Sequence, residues 1–183
     1  QTKKAGLTGL YGGLNINQTD YNNDGYPDIY VMRGAWLAEQ GKHPNSLIRN
    51  NGDGTFTDVT LEAGLAKENF PTQTSSWADY NNDGQVDLYV GNETIGENPA
   101  PSQLFQNNGD GTFTDVATKA GVGNDRYTKA VVWGDYDNDD DPDSQVEPEP
   151  PEGAEEGEEE VVVSKGCFLN GETVLQGFQN ATL

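Results

Sequence analysis

The stretch DYNNDGYPDIYV (Asp20–Val31) recurs almost unchanged as DYNNDGQVDLYV (Asp79–Val90), and a degraded copy, DYDNDDDPDSQV, begins at Asp135. A second segment, NNGDGTFTDV, occurs identically at residues 50–59 and 107–116, and an AGL or AGV element follows each copy. These offsets define a repeat of roughly 57 residues, made of an acidic loop, a short apolar segment, a variable linker and the NNGDGTFTDV segment. The chain is therefore built from tandem repeats.

Each repeat has the local patterns of four short strands. SSWAD and AVVWGD lead into acidic loops, while DIYVM and DLYVG leave them, and these segments are rich in residues that favour strands. SLIRN and QLFQN are each followed by Asn-Gly-Asp-Gly and TFTDV, which predicts a β-hairpin. The predicted fold is all-β, with tandem four-stranded antiparallel β-propeller-blade-like repeats, two complete and one partial, and a C-terminal β-hairpin or strand tail.

Composition divides the chain into three regions. The repeat region covers residues 1–144, with units at about 10–66, 67–123 and a partial unit at 124–144. GAWLAEQGKH interrupts the first unit and predicts a short helical insert. Residues 145–160 are rich in Glu and Pro and predict an extended acidic linker. Residues 161–183 return to strand-forming residues, with a hairpin signal at Asn170-Gly171.

The acidic loops have the ligand spacing of a cation site. With the first Asp as position 1, oxygen-bearing side chains stand at positions 1, 3, 5 and 9, glycine permits a sharp turn at position 6, and position 7 can add a backbone carbonyl. Alternating oxygen ligands on a tight loop suit Ca²⁺, whereas Mg²⁺ demands stricter octahedral geometry. An EF-hand is excluded because position 12 is Val31 or Val90 instead of Glu, and the flanks are strand-like.

The sequence thus predicts Ca²⁺ at the first two loops, with the third as a further candidate. The predicted ligands of the first two loops are Asp20, Asn22, Asp24, Tyr26 and Asp28, and Asp79, Asn81, Asp83, Gln85 and Asp87. The third loop offers Asp135, Asp137, Asp139, Asp141 and Asp143, but has Asp140 where the others have glycine. The alternative for each loop is an Asx-rich turn that holds no ion.

The charge balance limits the partners. Ten basic against 31 acidic residues give a net charge of −21, which argues against nucleic acid and against anionic membrane surfaces. No apolar run approaches the roughly 18 residues of a membrane span. The single cysteine, Cys167, excludes an intrachain disulfide. A start at Gln1 fits a processed secretory product or an excised fragment, and sequons at Asn17, Asn92 and Asn180 are candidates for glycosylation.

The repeated motifs resemble the FG-GAP/VCBS repeats of integrin-type β-propellers, including their bacterial and cartilage-acidic-protein-like versions. The resemblance covers about Leu10 to Asp143 and rests on DYNNDGxxDLYV, QLFQNNGDGTFTDV and AGL or AGV. It implies that each Asp-rich loop binds Ca²⁺ between the first two strands of a blade, through its residues at positions 1, 3, 5 and 9. It also implies an extracellular adhesion, carbohydrate-associated or matrix setting. Family propellers close with about seven blades, so the broken third unit is a departure.

Residues that could support catalysis are few. The only histidine, His43, lies in the irregular insert and is expected to be a surface or structural residue, and no base stands near Cys167 in sequence. Trp77 and Trp133 occupy matched places two residues before an acidic loop, which favours core packing. Trp36 lies outside the repeat pattern and is the better candidate for an exposed aromatic contact. We therefore expect a protein that is not an enzyme.

Three functions remain in competition, in the order given. The first is a secreted, calcium-stabilised structural protein that self-assembles. The second is an adhesion or ligand-binding module for an extracellular glycan or protein, as part of a larger propeller. An enzyme is the third. The tail has two alternatives: it folds back to cap the broken array, or it adds a strand to a neighbouring chain and builds a filament.

Overall fold

The computed structural model describes residues 1–10, 12–134, 160–164 and 167–170. The third acidic loop from Asp135, the predicted linker up to residue 159 and the sequon at Asn180 lie outside the described residues.

Two four-stranded antiparallel sheets form the described repeats, each with its strands in chain order. The first sheet contains β1 (Asn15–Thr19), β2 (Asp28–Met32), β3 (Ser46–Asn50) and β4 (Phe56–Asp58). The second contains β5 (Thr72–Ala78), β6 (Asp87–Asn92), β7 (Gln103–Asn107) and β8 (Phe113–Asp115). The prediction of an all-β fold with four-stranded blade-like repeats is confirmed for these two units.

The Asn-Gly-Asp-Gly segments turn β3 into β4 and β7 into β8, as predicted. In the first hairpin Gly52 and Gly54 have φ of 75° and 84°, a left-handed region that glycine enters without steric cost. The Asp53 carboxylate accepts hydrogen bonds from the backbone N–H and the hydroxyl of Thr55 at 2.9 and 2.6 Å. This local network explains why the same ten residues serve both hairpins.

The insert in the first unit is a 3₁₀-helix, Ala35–Gln40, which confirms the predicted short helical segment. It follows β2, so it lies at the opposite end of that strand from the acidic loop. A four-residue helix, α1 (Ala117–Ala120), follows β8 in the second unit. The second unit has no helix between β6 and β7 in the described part of the chain.

One-turn connectors of matching geometry occur three times. At residues 59–65, the N–H groups of Ala63, Gly64 and Leu65 donate to carbonyls four, three and five residues back, at 2.8, 3.2 and 3.1 Å. Residues 1–7 and 116–122 make the same three bonds, at 2.9, 3.4 and 3.0 Å and at 2.8, 3.3 and 3.0 Å. Each connector has a glycine with φ between 72° and 81°. The copy at residues 1–7 falls outside the predicted units, although KKAGL resembles TKAGV at residues 118–122.

Each connector also closes the last strand of the sheet that follows it. The Ala5 carbonyl accepts the N–H of Phe56 at 2.9 Å, and the Ala63 carbonyl accepts the N–H of Phe113 at 2.9 Å. The connectors therefore tie neighbouring repeats together through the backbone as well as through side-chain packing.

A shared apolar core lies between the two sheets. Alternation along β2 directs Tyr30 and Met32 to the side that faces the second sheet. Trp77 packs against this core, with its ring 6.0 Å from Tyr30 in an edge-on arrangement and 6.1 Å from Phe113. The buried members are Tyr21, Tyr30, Met32, Leu47, Val59, Ala63, Leu65, Leu88, Val90, Phe105 and Phe113.

A second cluster lies on the other face of the second sheet. It contains Tyr89 and Leu104, and it is closed by β9 (Thr128–Trp133), the first strand of the third unit. Trp133 packs beside this cluster and stacks on Tyr80 with ring centroids 6.2 Å apart. The predicted core positions of Trp77 and Trp133 are both confirmed.

The two matched tryptophans differ in their hydrogen bonding. Trp77 Nε1 donates to Asn17 Oδ1 at 3.0 Å, and the amide of Asn17 donates back to Ser75, so this asparagine joins β1 to β5. Asn17 lies opposite Tyr30 in its sheet, and Ser76 lies opposite Tyr89 in the next. Ser76 is therefore the counterpart of Asn17. Among the described residues, Trp133 Nε1 is buried and has no hydrogen-bond partner.

We expect Ser76→Asn to stabilise the protein by about 1 kcal/mol, because it places an amide oxygen where Trp133 Nε1 lacks an acceptor. The reciprocal variant, Asn17→Ser, should destabilise the protein by about 1–3 kcal/mol by leaving Trp77 Nε1 without its acceptor. Urea unfolding followed by tryptophan fluorescence measures both. An unchanged or lower unfolding midpoint for Ser76→Asn would contradict the assignment.

Two further strands belong to the tail. β10 (Glu160–Ser164) and β11 (Cys167–Asn170) pair antiparallel, and β10 pairs in parallel with β9. The predicted turn at Asn170-Gly171 begins where β11 ends, and the residues after it lie outside the described part of the chain.

Candidate metal loops

The two described acidic loops connect β1 to β2 and β5 to β6, at the same end of each sheet. In the first, the two oxygens of Asp20 accept the N–H groups of Asp24 and Gly25 at 3.0 and 2.7 Å. Asn22 Oδ1 accepts the Asp24 N–H at 3.3 Å, and its amide donates to Asp24 Oδ2 at 2.8 Å. Positions 1, 3 and 5 are thus held within hydrogen-bond distance of one another or of the backbone between them.

The second loop repeats this geometry. Asp79 accepts the N–H groups of Asp83 and Gly84 at 3.0 and 2.8 Å, and Asn81 makes the corresponding two bonds with Asp83 at 3.2 and 2.9 Å. Gln85, at position 7, donates its N–H to Asp83 Oδ1 at 2.8 Å, as Tyr26 does to Asp24 in the first loop at 2.9 Å. Two separate segments of the chain therefore adopt one conformation.

The backbone explains the DYNNDG motif. Asn23 and Asn82, at position 4, have φ of 55° and 56°, in the left-handed region that asparagine tolerates better than most residues. Gly25 and Gly84, at position 6, have φ of 86° and 84°, where a side chain would be strained. The asparagine at position 4 was not among the predicted site residues, and its recurrence in both copies is the signal that could have identified it.

The aspartates at position 9 are buried beneath the loops. Asp28 and Asp87 are 1% and 0% exposed. Each accepts one N–H from its own loop, Tyr21 at 3.3 Å and Tyr80 at 3.2 Å. Each also accepts one N–H at 2.7 Å from the end of the hairpin strand β3 or β7, from Asn50 or from its counterpart in the second sheet. Position 9 therefore fastens the acidic loop to the hairpin.

Burial raises the pKa of both buried aspartates. The pKa of Asp28 rises to about 6, first because the carboxylate is desolvated and further because Asp24 and Asp20 lie nearby, although two backbone hydrogen bonds oppose the shift. The pKa of Asp87 rises to about 6 for the same reasons, with Asp83 and Asp79 as its acidic neighbours. Each loop thus concentrates negative charge that a bound cation would compensate.

The donor set fits a hard cation in its chemistry. Carboxylate, amide and backbone carbonyl oxygens are the ligands that Ca²⁺ takes. In the described residues no three or more His, Cys, Asp or Glu side chains are grouped so that they could hold an ion. The oxygens at positions 1, 3 and 5 instead accept N–H groups of their own loop. A cation held by Asp20, Asn22, Asp24, the Tyr26 carbonyl and Asp28 would draw on a mixed set in which only three ligands are carboxylates.

The structure corrects two of the predicted glycosylation sites. Asn92 is 0% exposed, its Oδ1 accepts the hydroxyl of Thr72 at 2.7 Å, and its amide nitrogen donates to the Pro101 carbonyl at 2.8 Å. Asn17 is part-buried, and its amide nitrogen donates to Ser75 at 2.7 and 3.0 Å. A glycan on either nitrogen would displace these bonds, so neither asparagine is an acceptor in the folded chain.

Two other candidate residues lie away from the acidic loops. His43 is exposed, in the segment between the 3₁₀-helix and β3. Trp36 is 52% exposed on the 3₁₀-helix, beside Leu37, which is 36% exposed. The expectation that Trp36 is the exposed aromatic residue is confirmed. Among the described residues, no helix is long and apolar enough to cross a membrane.

Stacked four-stranded sheets with an Asp/Asn-rich loop between the first two strands define a β-propeller-type repeat protein. The FG-GAP-like repeat family matches residues 20–90 and 92–144, and the chain belongs to this family. It is 31% identical over 137 residues to cartilage acidic protein 1 of Xenopus tropicalis, and 27% identical over 139 residues to cartilage acidic protein 1 of Homo sapiens. These matches cover 73% and 74% of the chain but only 19% of each relative.

Proposed function

We propose that this chain is a calcium-binding repeat unit of an extracellular structural protein. The observation that carries the proposal is the duplicated loop, in which a buried aspartate and two further carboxylates are held in the same conformation in two sheets. A turn that only reverses the chain does not need a buried carboxylate with a raised pKa at position 9. The similarity to cartilage acidic protein 1 supports the extracellular matrix setting.

In this proposal the ion is held by positions 1, 3, 5 and 9 of each loop together with the carbonyl at position 7. Bound Ca²⁺ supplies positive charge and oxygen coordination, which compensate the desolvated carboxylates. The backbone of Asn23 and Gly25 holds the loop open at its turn. Asp28 transmits the position of the loop to the hairpin through Asn50.

Isothermal titration of the chelator-treated protein with CaCl₂ tests the proposal. We expect at least two sites, and we expect Asp20→Asn together with Asp79→Asn to remove both, because each variant replaces the position-1 carboxylate. Titration with MgCl₂ is the control and should give weaker binding. Absence of calcium binding by the wild-type protein would refute the proposal.

The pairing of β10 with β9 favours the capping alternative for the tail, because the strand is supplied within its own chain. A monodisperse monomer in the presence of Ca²⁺ is then the expected result of size-exclusion chromatography with light scattering. Filaments in electron micrographs that depend on residues 161–183 would instead favour strand donation to a neighbouring chain.

A second candidate function is adhesion to an extracellular glycan or protein, and the exposed Trp36 favours it. Its helix has no counterpart between β6 and β7, so the insert is not required by the repeat itself. Saturable binding of the monomer to a glycan array, lost in Trp36→Ala, would support this function.

A further inference from the structure

A continuous set of buried hydrogen bonds links the two acidic loops. Asp28 Oδ2 accepts the N–H of Tyr21 at 3.3 Å, and the carbonyl of Tyr21 accepts the side-chain amide of Asn107 at 2.8 Å. The backbone N–H of Asn107 in turn donates to Asp87 Oδ1 at 2.7 Å. Tyr21 and Asn107 thus connect position 9 of one loop to position 9 of the other.

These linking residues are buried. Tyr21 is 2% exposed and lies in the core between the sheets, where its ring centroid is 5.8 Å from that of Phe113. Asn107 is 3% exposed, and its amide also donates to the Val86 carbonyl at 3.1 Å. A buried amide that loses its acceptor cannot replace it with water. Movement of one loop is therefore felt at the other.

The first sheet contains a natural control for Asn107. Asn50 occupies the same place at the end of β3, donates its N–H to Asp28 Oδ1 at 2.7 Å and accepts the Gly52 N–H at 3.1 Å. Its amide donates at 3.2 Å to the carbonyl of Pro27, within its own sheet. Asn107 makes the equivalent bonds and adds the bond to Tyr21 of the other sheet.

A second, exposed link supports the same coupling. The side chain of Asn23, at position 4 of the first loop, donates to Gln85 Oε1 at 3.3 Å and approaches the Gly84 carbonyl at 3.5 Å. These contacts reach positions 6 and 7 of the second loop. They are weaker than the Asn107 bond because they are longer and open to water.

We propose that Asn107 is a positioning residue that couples the two acidic loops, so that Ca²⁺ binding at one loop increases the affinity of the other. This inference rests on the proposed calcium function. The ion in the first loop orders the peptide unit of Tyr21, whose carbonyl holds the Asn107 amide. Asn107 then holds Asp87 in place before the second ion arrives. The ordering cost is shared, which makes binding positively cooperative.

The experiment compares calcium titrations of the full chain in an Asp135→Asn background, which silences the third loop. Asp79→Asn leaves the first loop to titrate alone, and Asp20→Asn leaves the second. The product of these two single-loop dissociation constants should exceed the product of the two stepwise constants of the two-loop protein by about 5- to 50-fold. Binding constants report the coupling directly, without any assay of biological activity.

Asn107→Ser should reduce this ratio to about 1, because serine can still accept the Gly109 N–H but cannot reach the Tyr21 carbonyl. Asn50→Ser is the matched control and should keep the ratio. Circular dichroism checks that both variants fold. Should Asn107→Ser not fold, Asn107→Asp replaces it, because it retains the acceptor and removes the donor.

The outcomes separate the two proposals. Failure of the two-loop protein to bind calcium overturns both the proposed function and the coupling. Two filled sites with equal products of dissociation constants overturn the coupling alone, whichever Asn107 variant folds. Equal ratios in Asn107→Ser and Asn50→Ser would show that the coupling does not pass through Asn107, and would also overturn the inference.

Discussion

Removal of calcium should lower the melting temperature of this protein by at least about 10 °C. At about 10 mM Ca²⁺, sites with a Kd of about 10⁻⁴ M would each stabilise the fold by about 2.7 kcal/mol, or about 5 kcal/mol for two. Each kcal/mol corresponds to roughly 2–8 °C for domains of this size range. The effect is large because the ion compensates the buried charges of Asp28 and Asp87.

Differential scanning calorimetry in CaCl₂ and in EGTA measures this shift. The double variant Asp20→Asn and Asp79→Asn is the control, because its melting temperature should no longer depend on calcium. A general effect of ionic strength is excluded by repeating the scan with MgCl₂ and with NaCl. Identical melting curves for the wild-type protein in CaCl₂ and in EGTA would contradict calcium stabilisation.

Trp77→Ala should destabilise the protein by about 3–5 kcal/mol. The side chain packs in the core between the two sheets, against Tyr30 and Phe113, and its Nε1 is the hydrogen-bond donor to Asn17. Removing it opens a cavity where the two repeats meet and leaves the amide of Asn17 short of one partner. Both repeats contribute to this core, so the loss should weaken their cooperation in unfolding.

Urea unfolding followed by circular dichroism measures the effect, with an expected decrease in the midpoint of roughly 2 M. Trp36→Ala is the matched control, because Trp36 is 52% exposed on the insert and should change the stability by less than about 0.5 kcal/mol. Equal effects of the two substitutions would mean that Trp77 does not hold the sheets together.

The strands and turns could be predicted because their signals are local and repeated. Asn-Gly-Asp-Gly permits the positive φ angles at Gly52 and Gly54, and alternation in DIYVM directs Tyr30 to the core. Duplication strengthened both predictions, since two copies of one pattern need the same structural explanation. The spacing of Asp20, Asn22 and Asp24 similarly identified a loop whose conformation proved to be the same in both copies.

Predictions that depended on burial were less successful. The sequons at Asn17 and Asn92 match a three-residue pattern, but the pattern does not indicate whether the asparagine amide is free. In the fold one joins two sheets and the other is fully buried. Asn107 was missed for a related reason: an asparagine at the end of a hairpin strand predicts a turn, and nothing nearby in sequence indicates its bond to Tyr21, 86 residues away.

The amino-acid sequence by itself determined the repeat, the strands of each sheet, the hairpin turns and the conformation of each acidic loop, because these depend on residues that are close in the chain. Tertiary structure decided what the identical segments do differently. Asn50 and Asn107 stand in the same ten-residue motif, yet only Asn107 bonds to the loop of a neighbouring sheet. Trp77 and Trp133 have matched positions, yet only Trp77 finds an acceptor. The difference arises because a hydrogen bond between repeats needs both partners in place, and the neighbour of each copy is different.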